Sequence, residues 1–252
     1  HLEQCRSKTP VVFNIETTNA CNMRCSMCPR TTLMTRPIQT MEMETYCGIV
    51  EQIEPFSDEE WSAWEAFAEK NYSVPIYAMS ENHFFLYIIP KVIILHGYGD
   101  PLLDKHIPRR IKLLTERNVE TYFSCNPANI NVEKSIELFE SGLGYIKYSI
   151  DSMDDEKHMA IRGSGWSFTE SYNKIVTLLE YKKKHAYKTV VVISMIDFNN
   201  SWQQQDYIKL RDAFRGKDVY IYLKSQDQFW YKEDTKNTKS IHWSEFCQFP
   251  WS

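Results

Sequence analysis

Short apolar runs and amphipathic stretches take turns along the chain, and their alternation predicts strands and helices in succession. Val11 to Glu16 reads as a first strand, Lys91 to His96 as a second, Glu120 to Cys125 as a third and Tyr145 to Ile150 as a fourth. The β-branched run Thr189 to Ile196 gives a fifth, and Asp218 to Leu223 a sixth. Helical patterns fall between them. One spans about Met41 to Ile53, with Thr40 as N-cap and Met43, Tyr46, Ile49 or Val50, and Ile53 on a buried face. Another, about Lys105 to Arg117, sets Ile107, Ile111 and Leu114 on one side and tolerates Pro108 in its first turn. A third covers about Val132 to Ser141, and Ser167 to Glu170 and Ser201 to Gln204 read as capping boxes that open two more.

Residues 55–90 break this rhythm, being too long for an ordinary connection, and read as an insertion. Asp58, Glu59 and Glu60 followed by Trp61, Trp64 and Phe67 suggest a short amphipathic helix, and an irregular apolar piece from Val74 to Ile89 follows. The insertion is either a lid that contacts substrate or a helix packed on the exterior. Strands that alternate with helices need right-handed crossovers and a parallel sheet. Six repeats predict an α/β fold, a partial (β/α)6 TIM-like barrel over residues 9–225, with ligands at the carboxyl ends of the strands. Residues 226–252 read as a linker and a short C-terminal extension.

Size and charge narrow the function. A chain of 252 residues with a net charge of -4 and no Lys/Arg-rich block argues against a nucleic-acid binder. The longest apolar stretches, such as Phe84 to Ile89, are too short to cross a bilayer, and no secretory signal opens the chain, so no membrane partner and a cytoplasmic address are expected. Of the seven cysteines, Cys5, Cys47, Cys125 and Cys247 are scattered, which argues against a disulfide framework.

The other three are clustered. Cys21, Cys25 and Cys28 form a C-x3-C-x2-C array on a loop leaving the first strand, and Asn19, Asn22 and Pro29 keep that loop irregular. Three sulfurs leave a tetrahedral zinc site one ligand short, and no His stands nearby to complete it. A [4Fe-4S] cluster held by three thiolates would keep one iron open to an outside ligand. On the residues alone, a zinc knuckle, a redox loop and an open cluster all stand.

The array resembles the signature of the radical S-adenosylmethionine (radical SAM) enzymes, with Met27 at that motif's apolar position. The resemblance implies a radical SAM partial barrel and a [4Fe-4S] cluster on Cys21, Cys25 and Cys28. It further implies reductive cleavage of S-adenosylmethionine to a 5'-deoxyadenosyl radical that takes a hydrogen atom from substrate. Gly97-Tyr98-Gly99-Asp100-Pro101 resembles the family's Gly-Gly-Glu-Pro segment, which implies that Gly97, Gly99 and Asp100 meet the cofactor's amino group. By the same resemblance Asn126, with Ser124, would face the nucleoside or the methionyl carboxylate. Ser149, in a segment similar to Ser-Ile-Asp-Gly, and Arg162 would meet that carboxylate, and Met195 would touch the adenine edge or serve the core.

Cys247-Gln-Phe-Pro-Trp251 resembles the entrance to a SPASM or twitch domain, which would make Cys247 a ligand of a second iron-sulfur cluster in a longer chain. A flavodoxin- or ferredoxin-like electron donor is implied. Two substrates stay open: a small carbohydrate or aminocyclitol, suggested by the likeness of Tyr98 to Leu103 to an aminocyclitol dehydrogenase of the family, and a peptide side chain, as for SPASM maturases. Only about ten residues precede the first strand, which favours the small molecule. A non-catalytic zinc- or cluster-binding module is the alternative of another class, and it would have no use for Asp100, Ser149 or Arg162. No residue stands out as a catalytic acid or base.

Overall fold

The structure, a computed structural model, describes residues 14–75, 80–163 and 165–226. Its centre is a sheet of five parallel strands in sequence order: β1 (Val92–Ile94), β2 (Glu120–Cys125), β3 (Tyr145–Ser149), β4 (Val190–Asp197) and β5 (Tyr220–Ser225). These match the second to sixth predicted strands within a few residues. Of the first predicted strand, Val11 to Phe13 lie outside the described residues. The rest is a parallel bridge from Asn14 to Ile94, supported by the Ile15 N–H donating to the Ile94 carbonyl at 2.8 Å.

The helices are α1 (Pro29–Thr32), α2 (Met43–Val50), α3 (Asp58–Tyr72), α4 (Glu81–His83), α5 (Ile107–Thr115), α6 (Val132–Glu140), α7 (Asp155–Arg162), α8 (Phe168–Lys184) and α9 (Gln203–Ala213). Because side chains alternate across a strand, each strand sorts its residues onto two faces. Ile93, Phe123, Cys125, Ile146, Tyr148, Val191, Ile193, Met195 and Ile221 pack with helix residues such as Tyr46, Ile111, Leu138 and Ile175 in the main core. The opposite set, Tyr122, Val192 and Tyr222 with Val92, forms a second cluster whose other members are Phe84 and Ile88.

Those two residues come from the insertion. The irregular apolar piece is α4 running into a single π-helical stretch, Phe84–Ile88, and a 3-10 turn, Ile89–Lys91. Phe84, fully buried, sets its ring 5.2 Å from Tyr122 and 5.5 Å from Tyr222. This piece is therefore not an exterior helix; it fills the lower part of the sheet face turned away from the helical layer. The amphipathic helix α3 is longer than the sequence suggested. It opens with a full capping box between Ser57 and Glu60 that the pattern-based reading passed over.

Two predicted caps are corrected. Thr40 does not cap α2, because it pairs with Thr18 in an antiparallel bridge, with the two hydroxyl oxygens 2.9 Å apart, and the helix starts beyond it at Met43. Ser201 does not cap α9, whose N-cap is Trp202 without a side-chain bond. Gln203 is buried there instead, accepting from the Phe198 N–H at 2.7 Å and donating to the Ile196 carbonyl at 2.6 Å. Among the described residues no helix is long and apolar enough to cross a membrane.

Candidate active site

Chain geometry brings three loops together at the carboxyl ends of the strands. The cysteine loop is tied from both sides. The Asp100 N–H donates to the Ala20 carbonyl at 2.8 Å from the loop after β1. From the end of α7, the Ile161 and Arg162 carbonyls accept from the Ser26 and Arg24 N–H groups at 2.8 and 3.2 Å. Asn19 closes the base, donating to the Pro37 carbonyl at 2.9 Å and accepting from the Gln39 N–H at 2.7 Å. Asn22 and Asn129 exchange two side-chain bonds of 2.8 and 2.9 Å, which anchors the loop to the turn after β2.

A cavity of about 350 Å3 lies between these loops. Cys21, Cys25 and Cys28 line it, together with Met27, Gly97, Gly99, Asp100, Ser124, Asn126, Ser149 and Arg162, so the structure gathers nearly all of the residues singled out in the sequence. The three thiols are free. Burial pushes the Cys21 and Cys25 thiols above their usual range, and the Arg162 guanidinium partly offsets this at Cys25. Cys25 is the most enclosed of the three: its thiol donates to the Arg162 carbonyl at 3.8 Å, and Arg162 Nη1 approaches the sulfur at 3.9 Å. Among the described residues no group of three or more His, Cys, Asp or Glu is placed to hold a metal ion. Three thiolates would leave a zinc shell one ligand short and one iron of a cubane open.

Several predicted roles change once side-chain partners are known. Asp100 does not hold a free carboxylate toward the cavity. Its Oδ1 accepts from the Leu102 N–H at 3.0 Å, and its Oδ2 accepts from the Asn126 N–H at 3.0 Å and Asn129 Nδ2 at 2.7 Å. It caps its own 3-10 turn and ties the β1 loop to the end of β2. Asp100→Asn would point an amide donor at one of these donors, and is expected to lower stability by about 1–3 kcal/mol, read by urea unfolding. Gly97 and Gly99 are needed for contact between loops: a Cβ on Gly97 would lie 2.6 Å from Glu16 Oε1, and one on Gly99 only 2.0 Å from the Thr18 carbonyl oxygen.

Arg162 keeps a place in the cavity but is bonded within the protein, with Nε donating to the fully buried Asp151 at 2.5 Å. Asp151 also accepts from the Ile196 N–H at 2.9 Å, so the pair links α7 to β4. Arg162→Met would leave that carboxylate buried and uncompensated; a loss of about 3–5 kcal/mol is expected in equilibrium unfolding. Asn126 accepts from the Ala128 N–H at 2.8 Å, while its buried Nδ2 has no partner among the described residues. Ser149 and Ser124 place their hydroxyl oxygens 3.4 Å apart. Of the two roles open to Met195 the structure shows the core one: it is fully buried on the sheet face that packs against the helices, and it is not among the residues that line the cavity. Cys247 lies outside the described residues, as does Cys5.

The sequence reading missed His96, Lys147, Ser194 and Lys224, which also line the cavity. Period-two alternation offered a signal: Ser124 pairs with Lys147, Ser149 with Ser194 and Ile196 with Lys224 in register, so all share the face already marked by Ser124 and Ser149. Burial and the nearby charges of Lys147 and Lys224 push His96 down to about 3, so its ring is neutral, and Nδ1 accepts from the Ser124 N–H at 3.2 Å.

The family model described as the radical SAM superfamily matches residues 78–210, just over half of the chain. The chain belongs to the radical SAM superfamily. Membership implies a [4Fe-4S] cluster and S-adenosylmethionine, and supports a radical SAM enzyme over a non-catalytic module. The cysteine loop precedes the matched span, so its role in this radical SAM chain rests on its motif and on the cavity. None of the curated proteins matches the chain.

Radical SAM folds recur among solved structures that resemble it. SuiB of Streptococcus suis, bound to the precursor peptide SuiA, gives a TM-score of 0.59 at 13% identity over 90% of this chain and 42% of that one. Methylornithine synthase (PylB) gives 0.54 at 11% identity over 85% and 52%. The methyltransferase TsrM of Kitasatospora setae, with cobalamin and a [4Fe-4S] cluster bound, gives 0.52 at 13% identity over 87% and 40%. At these identities the likeness is one of fold, and the chain spans only about half or less of the length of each.

Proposed function

We propose that Cys21, Cys25 and Cys28 hold a [4Fe-4S] cluster whose fourth iron is open to S-adenosylmethionine, and that this radical SAM enzyme abstracts a hydrogen atom from a small polyhydroxylated molecule. When bound, cluster and cofactor supply a 5'-deoxyadenosyl radical after one-electron reduction by a flavodoxin- or ferredoxin-like donor. The observation that carries this reading is the joint presence of the three thiols, the Gly97 to Gly99 backbone, Ser149 and Arg162 around a single cavity at the strand ends.

The chain's own residues have distinct tasks in this reading. The Gly97-Tyr98-Gly99 backbone offers polar groups to the cofactor's amino end. Arg162, already oriented by Asp151, directs positive charge at its carboxylate beside Ser149. Ser124 and Ser194 supply hydroxyls for a polar substrate, and the buried aromatic floor of Phe84, Tyr122 and Tyr222 keeps bulk water from below.

Deuterium transfer tests the proposal. Reconstituted protein, dithionite, S-adenosylmethionine and perdeuterated carbohydrates or cyclitols should give 5'-deoxyadenosine that carries deuterium from one of them. A peptide side chain is the second reading, favoured by the fold shared with SuiB, whose structure holds a precursor peptide. Label that arrives only from peptides would replace the first reading with the second.

A further inference from the structure

Lys147 is the residue that the chemistry described so far leaves without a task. It projects from β3 on the cavity face, is 9% exposed, and lines the cavity in register with Ser124. Its ammonium sits over three rings, 5.0 Å from the Phe84 centroid, 5.4 Å from Tyr122 and 6.0 Å from Tyr222, and donates a long bond of 3.4 Å to the Tyr222 hydroxyl. Among the described residues no carboxylate lies within ion-pair distance of it.

The acids around the cavity are otherwise engaged. Asp100 is held by three donors and Asp151 by Arg162, so neither is left to pair with Lys147. Glu81, the acid whose charge reaches Lys147, accepts from the Ser225 N–H at 2.9 Å. A buried ammonium with ring faces for company is only partly compensated, since the attraction of ring faces falls short of the cost of an unpaired buried charge. Burial, reinforced by Lys224 and Arg162, brings Lys147 down to about 7, and a bound negative charge would reverse that shift.

We propose that the floor of the cavity selects a substrate bearing an anionic oxygen group, a carboxylate or phosphate, which Lys147 grips with help from the hydroxyls of Ser124 and Ser194. Such a floor repels an ammonium-bearing substrate and so narrows the small polyhydroxylated class to its acidic or phosphorylated members. The inference rests on reading this cavity as the reaction chamber. The cofactor's own carboxylate is assigned to Arg162 and Ser149, at the strand ends above Lys147.

The test uses the full chain and needs no turnover. Thermal unfolding is followed at constant ionic strength as sodium chloride is exchanged for sodium acetate or sodium phosphate. Wild-type protein should gain about 3 °C, saturably, with at least one of the two anions, and the one that acts separates carboxylate from phosphate. Lys147→Met should fold with an equal or higher midpoint in chloride and gain nothing from either anion. A wild-type midpoint unmoved by both anions, or stabilisation that persists in Lys147→Met, overturns the proposal. So does a Lys147→Met protein that, once reconstituted, binds S-adenosylmethionine at least tenfold more weakly, because the lysine would then serve the cofactor. Absence of cofactor cleavage would sink the catalytic reading alone, since anion stabilisation is measured without it.

Discussion

Cys25→Ala should leave a folded protein that retains no more than about a tenth of the iron bound by wild type after anaerobic reconstitution. On the proposed assignment the variant would leave two thiolates for a cubane, too few to hold it, and Cys25 is the buried one, its sulfur set between the Arg162 carbonyl and guanidinium. The fold should survive because the loop is anchored by backbone bonds on either side of the substituted residue, from Ser26 to Ile161 and from Asp100 to Ala20. Cys125→Ala is the matched control. That thiol is at least as hidden and also borders the cavity, but it packs in the core between sheet and helices and donates to the Lys147 carbonyl. Its loss should reduce stability by about 1 kcal/mol and leave iron unchanged. Wild-type iron in Cys25→Ala, or iron loss in both variants, would contradict the assignment.

Gly99→Ala should disable the same site without touching a cysteine. The new Cβ would lie 2.0 Å from the Thr18 carbonyl oxygen and 2.7 Å from its carbon, and both are backbone atoms that cannot swing aside as a side chain can. Relief requires the Gly97 to Asp100 loop to part from the cysteine loop, which breaks the Asp100 to Ala20 bond and opens the cavity. A loss of about 3 kcal/mol or more is expected, together with at least a tenfold drop in cofactor affinity. Gly48→Ala supplies the contrast. Nothing lies within 4 Å of a Cβ there, in the middle of α2, so that variant should gain about 0.5–1 kcal/mol. Iron binding and cofactor titration on the two variants separate a contact-limited glycine from an incidental one. Equal affinity for both would mean that the loop contact plays no part in the site.

How far the sequence carried depended on whether a residue's task was local or distant. The strand pattern was legible because the two faces of β2 to β4 carry different chemistry: one face is mostly apolar toward the helices, the other mixes tyrosines, serines and Lys147. The cysteine loop was legible because its three sulfurs lie within eight residues. Asp100 and Gly99 were found as a motif, but their partners within the protein were not, since the Asn129 amide and the Thr18 carbonyl that meet them stand far off in the chain. Thr40 and Ser201 looked like caps by local spacing and were overruled by a bridge to Thr18 and by the burial of Gln203. Lys147 escaped notice because a lysine in a strand normally signals a solvated face. Only the placement of Phe84, from an insertion more than sixty residues away, turns that position into the floor of a cavity.

Electron paramagnetic resonance on anaerobically reconstituted, dithionite-reduced protein, recorded with and without S-adenosylmethionine, probes the open iron most directly. A reduced [4Fe-4S] signal whose g values change on addition of the cofactor is the expected result, because the cofactor would then occupy the iron that Cys21, Cys25 and Cys28 leave open in the proposed assignment. A protein that binds zinc and shows no cluster signal, or a cluster whose spectrum is identical with and without the cofactor, would contradict the account.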